Sequence, residues 1–182
     1  MKGILRNLHR YVLWALVSVV FWAWVFTRVL DAPAGKKLVV YADMPDLDRA
    51  ALSAALEADM PENIRFVEAM AFMDEMFTTG NVTHGDLFVV PASHAELFLS
   101  DFSPIDPADL PDLPLYTFDG KAYGVCVYDE AAGIYIGTRY VGYLPGETYY
   151  LFFNAASPHL GQWNDSPDDA ALRAARTFLT LP

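Results

Sequence analysis

The chain has 182 residues, of which 54% are hydrophobic and 14% aromatic, enough for a sizeable core and too apolar for a disordered chain. Its formal net charge is -11, but residues 1–35 carry Lys2, Arg6, Arg10 and Arg28 against Asp31, so 36–182 hold 8 basic and 22 acidic residues, net -14. Such a domain repels phosphate backbones, which argues against nucleic acid as a partner and leaves cationic ligands electrostatically welcome. The one cysteine, Cys126, excludes an intrachain disulfide and a thiolate metal site.

Residues 11–26, YVLWALVSVVFWAWVF, are uncharged, and with 27–30 they reach the roughly 20 residues that cross a bilayer. The expectation is a transmembrane signal anchor over 11–30, with 1–10 cytoplasmic and 31–36 a linker. Basic residues before the span and an acidic domain after it put the C-terminal part outside, in the cell membrane's extracytoplasmic space. Trp14, Trp22 and Trp24 suit an interface. Ala32 and Ala34 also form an A-x-A pattern compatible with cleavage after Ala34.

Residues 36–43, KKLVVYAD, read as a buried strand. Asp46 is then expected to cap a helix whose face carries Leu47, Ala51, Ala54, Ala55 and Ala58. Residues 63–69 alternate like a strand, 70–79 read as a second short helix, and 86–91, DLFVVP, as a third strand. Alternating strands and helices predict right-handed parallel crossovers. Ser93-His94-Ala95-Glu96 has the form of a capping box for the next helix.

Four prolines between 104 and 114 make an irregular connection. Asp119-Gly120 lies between two β-rich runs, the signature of a type I′ hairpin. Further β-rich runs cover 133–143 and 148–154. A last helix is expected with Ser166 as cap, Pro167 at its first position and Leu172, Ala175, Phe178 and Leu179 buried. The fold class is therefore α/β: a three-layer α/β/α lobe over 37–182 with a mostly parallel sheet, its core including Val39, Val40, Phe66, Phe88, Val89 and Phe152, preceded by one transmembrane helix.

Ligands of open α/β sheets bind beyond the carboxyl ends of the strands. Tyr41 and Asp43 at the end of the first strand, with Ser93 and His94 at the end of the third, are the candidate ligand-binding residues. Ser93 is accounted for by capping alone and His94 by solvation. Catalysis is not expected: HExxH, G-x-S-x-G, Walker A and G-x-G-x-x-G are all missing, and His84-Gly85-Asp86 lacks a third metal ligand. No cofactor is expected.

KLVVYADMPDLDRAALSAALE, GDLFVVPASHAELFLSDFSPIDP, DGKAYGVCVYD and ETYYLFFNAASPH, in this order and followed by DDAALRAARTFLTL, resemble the extracellular solute-binding proteins of ABC transporters, the type II periplasmic-binding-protein fold. The resemblance implies a small-molecule solute and a permease, or another membrane protein, as partners. It also implies a chain that leaves the first lobe after the YGV strand, builds a second lobe and returns. Only Asp129–Glu147 occupies that place, so about one lobe is expected. The functional expectation is a membrane-anchored, non-catalytic solute-binding-like domain in transport or sensing. Alternatives are an interaction subunit without ligand and an exported hydrolase.

Overall fold

The computed structural model describes residues 2–26, 33–44, 46–72 and 85–182. Two compact units are present, 1–33 and 34–182. The first is α1 (Lys2–Val25). From Tyr11 to Trp24 its large apolar side chains are exposed, Trp14 at 69% and Val20 at 66% among them. Among the described residues no helix is long and apolar enough to cross a membrane; residues 27–30 of the expected span lie outside them.

The second unit is a mixed α/β domain. Its strands are β1 (Lys37–Ala42), β2 (Asp46–Leu47), β3 (Phe66–Ala71), β4 (Leu87–Pro91), β5 (Leu115–Phe118), β6 (Lys121–Asp129), β7 (Ile134–Tyr135), β8 (Val141–Gly142) and β9 (Tyr149–Phe153). Its helices are α2 (Arg49–Glu57), α3 (Ala92–Ala95, continued as a 3-10 turn over Glu96–Asp101) and α4 (Ala170–Phe178). The main sheet runs β3-β1-β4-β9-β6-β5, with β7 beside β6. The expected parallel pairings are found for β3, β1 and β4, but from β4 outward the pairings are antiparallel and the sheet is mixed. Two antiparallel steps, β4 to β9 and β9 to β6, leave β6 running in the same direction as β4. The carboxyl ends of β1, β3, β4 and β6 therefore share one edge.

Both faces are covered. On one, Leu38, Val40, Leu87, Val89 and Leu151 meet Leu52 and Leu56 of α2 and Ala171, Ala174 and Phe178 of α4. Full burial of each large side chain stabilises by about 1.5–3 kcal/mol. The other face is aromatic: Tyr41 stacks on Phe88 at 5.3 Å, and Phe102 on Phe152 at 4.5 Å. These rings let a short element, α3 with its 3-10 extension, close this face through Ala95 and Phe98. A Cβ on Gly85 would lie 2.6 Å from the Tyr41 ring, so the close stacking requires glycine there.

Several expected boundaries move. Asp48 rather than Asp46 caps α2, accepting from Ala51 N–H at 3.0 Å, because Asp46 is paired in β2 against β8. The helix consequently buries Leu52 and Leu56, while Ala54 and Ala58 are exposed. Met70 and Ala71 belong to β3, and the remainder of the expected second helix, 73–79, lies outside the described residues. Phe66 is 38% exposed, since β3 is the edge strand of the sheet. That edge is partly satisfied by α2, whose Ser53 Oγ accepts from Ala69 N–H at 2.9 Å.

The β5–β6 turn has Asp119 and Gly120 at φ 49° and 74°, the two positive values that a type I′ turn needs. The run 133–143 forms only the short strands β7 and β8. The final helix starts at Ala170 after Asp169, three residues beyond the expected start, because Ser166 Oγ donates instead to the Ser157 carbonyl. Its stripe, Leu172, Ala175, Phe178 and Leu179, is buried as expected. Cys126 is fully buried, and burial pushes its thiol up to about 11, which leaves it an inert core side chain.

Candidate functional site

At the carboxyl edge, β1 is followed directly by Asp43, whose N–H donates to the Val89 carbonyl at 2.9 Å. β4 ends in Pro91 and passes directly into α3, which presents Ser93 and His94. His94 Nδ1 lies 2.8 Å from Asp43 Oδ2, with the two side chains 40% and 25% exposed. An ionised carboxylate only accepts, so Nδ1 carries the proton and Nε2 is the second polar atom of the ring. Ser93 Oγ donates to Glu147 Oε2 at 3.3 Å, while Ala92 N–H donates to the Thr148 carbonyl at 2.8 Å. The structure thus joins Asp43 to His94 and sets Ser93 against Glu147, a residue that carries no motif and is found only through the fold.

Two sequence expectations are corrected here. Ser93 does not cap: Pro91 holds the cap position of α3 with no side-chain hydrogen bond, and Ser93 lies within the helix. Tyr41 does not join the others. Its ring is 5% exposed and stacked on Phe88. Burial raises its phenol pKa, and its charged neighbours are Glu68, Lys37 and Asp86, toward the amino edge.

The excursion from Asp129 to Glu147 lies over this same edge. Its β8 pairs with β2, just past the end of β1. Tyr143 stacks on Tyr128 at 4.4 Å, meets Tyr149 edge-on at 5.0 Å and donates its hydroxyl to the Ile136 carbonyl at 2.7 Å. A concavity of about 420 Å³ opens where the excursion meets the chain leaving β1, between Asp46–Asp48 and Thr138–Gly142.

A second polar cluster occupies the amino edge, and no sequence pattern announced it. Asp86, 2% exposed, accepts from Val39 N–H at 2.8 Å and from Ser157 Oγ at 2.6 Å. Ser157 Oγ in turn accepts from His159 N–H at 3.1 Å. The fully buried His159 places Nδ1 2.8 Å from Asp168 Oδ1, and Asp168 Oδ2 accepts from Asn63 Nδ2 at 2.9 Å. Desolvation pushes Asp86 up to about 6, opposed by the Ser157 and Val39 hydrogen bonds and by His159. The trio of residue types is not a nucleophile and base: the serine hydroxyl points to the aspartate, and its contact with His159 is through the backbone. Among the described residues no group of three His, Cys, Asp or Glu side chains could hold a metal ion.

The fold and this edge define a mixed-sheet α/β domain with polar side chains gathered at the carboxyl edge of its parallel strands. No protein-family model, no curated protein and no solved structure matches the chain.

Proposed function

We propose that this chain is a single-pass membrane protein whose residues 37–182 form a non-catalytic, extracytoplasmic domain of the solute-binding type. The domain is reduced to one three-layer α/β/α lobe and serves transport or solute sensing beside an ABC-type permease or another membrane protein. The observation that carries this reading is the position of β9. After β6 the chain turns back beside it as the two-residue β7, then leaves the sheet for a short excursion and re-enters by inserting β9 antiparallel between β4 and β6. This supports the leave-and-return path that the resemblance implies, with the second lobe reduced to the segment before β9. The tether rests on the exposed apolar side chains of α1 and on the basic residues before residue 11.

Recognition falls to Asp43, Ser93 and His94 at the carboxyl edge, with Tyr41 supporting β1 from behind. Protease added to intact cells removes a C-terminal tag if this topology holds; a protected tag refutes it. Calorimetry of the full chain in nanodiscs against polyamines, sugars, amino acids and oxyanions then identifies a solute, whose binding His94→Ala weakens.

A second reading, an interaction subunit without a solute, is favoured by one observation: Asp43 and His94 satisfy each other and the excursion lies across the edge. A chain that binds nothing in the panel, while photo-crosslinks from position 93 reach an integral membrane protein in cells, belongs to that reading.

A further inference from the structure

The concavity between the exit of β1 and the excursion has a wall of each charge. Asp46 and Asp48 line it from the chain leaving β1, Thr138 and Arg139 from the excursion, and Leu47 and Tyr140, half-buried against the core, belong to the same lining. Opposite charges that line one concavity often pair. Among the described residues, however, no carboxylate lies within 4.0 Å of the Arg139 side chain, and neither Asp46 nor Asp48 has an ion-pair partner.

The backbone fixes the two segments that line the concavity. Asp46 and Leu47 pair with Gly142 and Val141 in the β2–β8 ladder, and Asp48 N–H donates to the Tyr140 carbonyl at 2.9 Å. Tyr140 N–H is bonded to the Gly137 carbonyl at 2.9 Å, and Arg139 N–H to the Pro182 carbonyl at 3.3 Å. One Asp48 oxygen is spent on Ala51 N–H, which orients the carboxylate and leaves its other oxygen for a ligand. At Gly142 a Cβ would lie 2.9 Å from Asp46 Cβ, so glycine is what permits the strands to meet this closely.

We propose that this concavity is a subsite for a free amino acid. The ligand's carboxylate is received by the Arg139 guanidinium, its ammonium by Asp46 and the free oxygen of Asp48, and an apolar side chain by Leu47 and Tyr140. A zwitterion meets both walls at once, whereas an ion of either sign would be attracted by one and repelled by the other. The volume, about 420 Å³, falls within the range of small-molecule sites. The lining charged residues are exposed, so affinity is weak and selectivity comes from the paired charges. This inference rests on the reading of the domain as solute-binding and adds to the residues named there, Asp43, Ser93 and His94, a separate subsite with its own solute class.

The test uses the full chain in nanodiscs and ligand-observed saturation-transfer NMR with L-leucine, N-acetyl-L-leucine and L-leucinamide. Saturable binding of L-leucine is expected, with affinity lower by about tenfold or more for the two blocked forms, each of which has lost one charge. Arg139→Gln and Asp46→Asn should each weaken L-leucine to the same degree, with melting temperatures near wild type, while Arg173→Gln leaves it unchanged. Equal binding of all three ligands, full affinity in both variants, or no L-leucine binding at its solubility limit overturns the proposal. With the C-terminal tag outside the cell, such a failure removes the amino-acid site and leaves the solute-binding reading; a tag inside removes that reading whatever the NMR shows.

Discussion

Ser157 Oγ donates to Asp86 Oδ1 at 2.6 Å across 71 residues of sequence, and both side chains are sealed from solvent. This contact fastens the loop after β9 to the start of β4, and through Val39 N–H to β1. It is also the point where the domain's stability is tied to pH.

The folded chain holds Asp86 at about 6, above the roughly 3.9 of an unfolded aspartate. A raised carboxyl binds its proton more tightly when folded. Its favourable contribution is complete below about pH 3.9 and is lost as pH rises through about 6, an order-of-magnitude loss of about 3 kcal/mol. Urea unfolding at several pH values between 4 and 7 should show wild type losing stability relative to Asp86→Asn by about this amount as pH rises. Parallel pH profiles for the two proteins would refute the assignment.

Val89→Asp should prevent folding. Val89 is fully buried in the middle of the sheet, paired with Ala42 on one side and Leu151 on the other. An unpaired carboxylate there costs several kcal/mol, comparable with a domain's whole stability. Loss of the cooperative thermal transition by circular dichroism is the expected result; a soluble variant melting like wild type would contradict the strand's position.

Gly85→Ala should cost about 1–3 kcal/mol by overpacking, since the added methyl lies 2.6 Å from Tyr41 and 2.7 Å from Phe88. Gly35→Ala is the control, with nothing within 4 Å of its new Cβ. Denaturant midpoints of the two variants separate packing strain from any general effect of replacing glycine.

Asp48→Ala should cost about 0.5–2 kcal/mol, because it removes the hydrogen bond that caps α2. Ser93→Ala should stay within about 0.5 kcal/mol, because Ser93 is exposed and its hydroxyl makes only a long hydrogen bond, 3.3 Å, to Glu147 among the described residues. Thermal melts that rank the two in the opposite order would restore the capping role of Ser93.

Local rules were legible wherever the physics is local. The Asp119-Gly120 turn follows from two positive φ angles that few residue pairs adopt, and the stripe of α4 from the helical repeat. Buried runs such as Leu87–Val90 declare themselves through continuous apolar composition. Caps are less legible because a hydroxyl or carboxylate has several donors and acceptors in reach. Asp46 was drawn into β2, Ser166 into the Ser157 carbonyl, and Ser93 toward Glu147.

Tertiary structure decided whatever depends on strand order and long-range pairing. Phe66 is exposed because β3 has no outer neighbour among the described residues, and Tyr41 left the candidate site because Phe88 offered a stacking surface on the aromatic face. Asp43 and His94 were placed together by sequence because parallel strands deliver their ends to one edge, a consequence of chain direction alone. The insertion of β9 between β4 and β6, and the buried contacts of Asp86, Ser157, His159 and Asp168, carry no periodicity or spacing of their own. They arise only when folding removes water from polar groups far apart in the chain, each of which then has to find a partner.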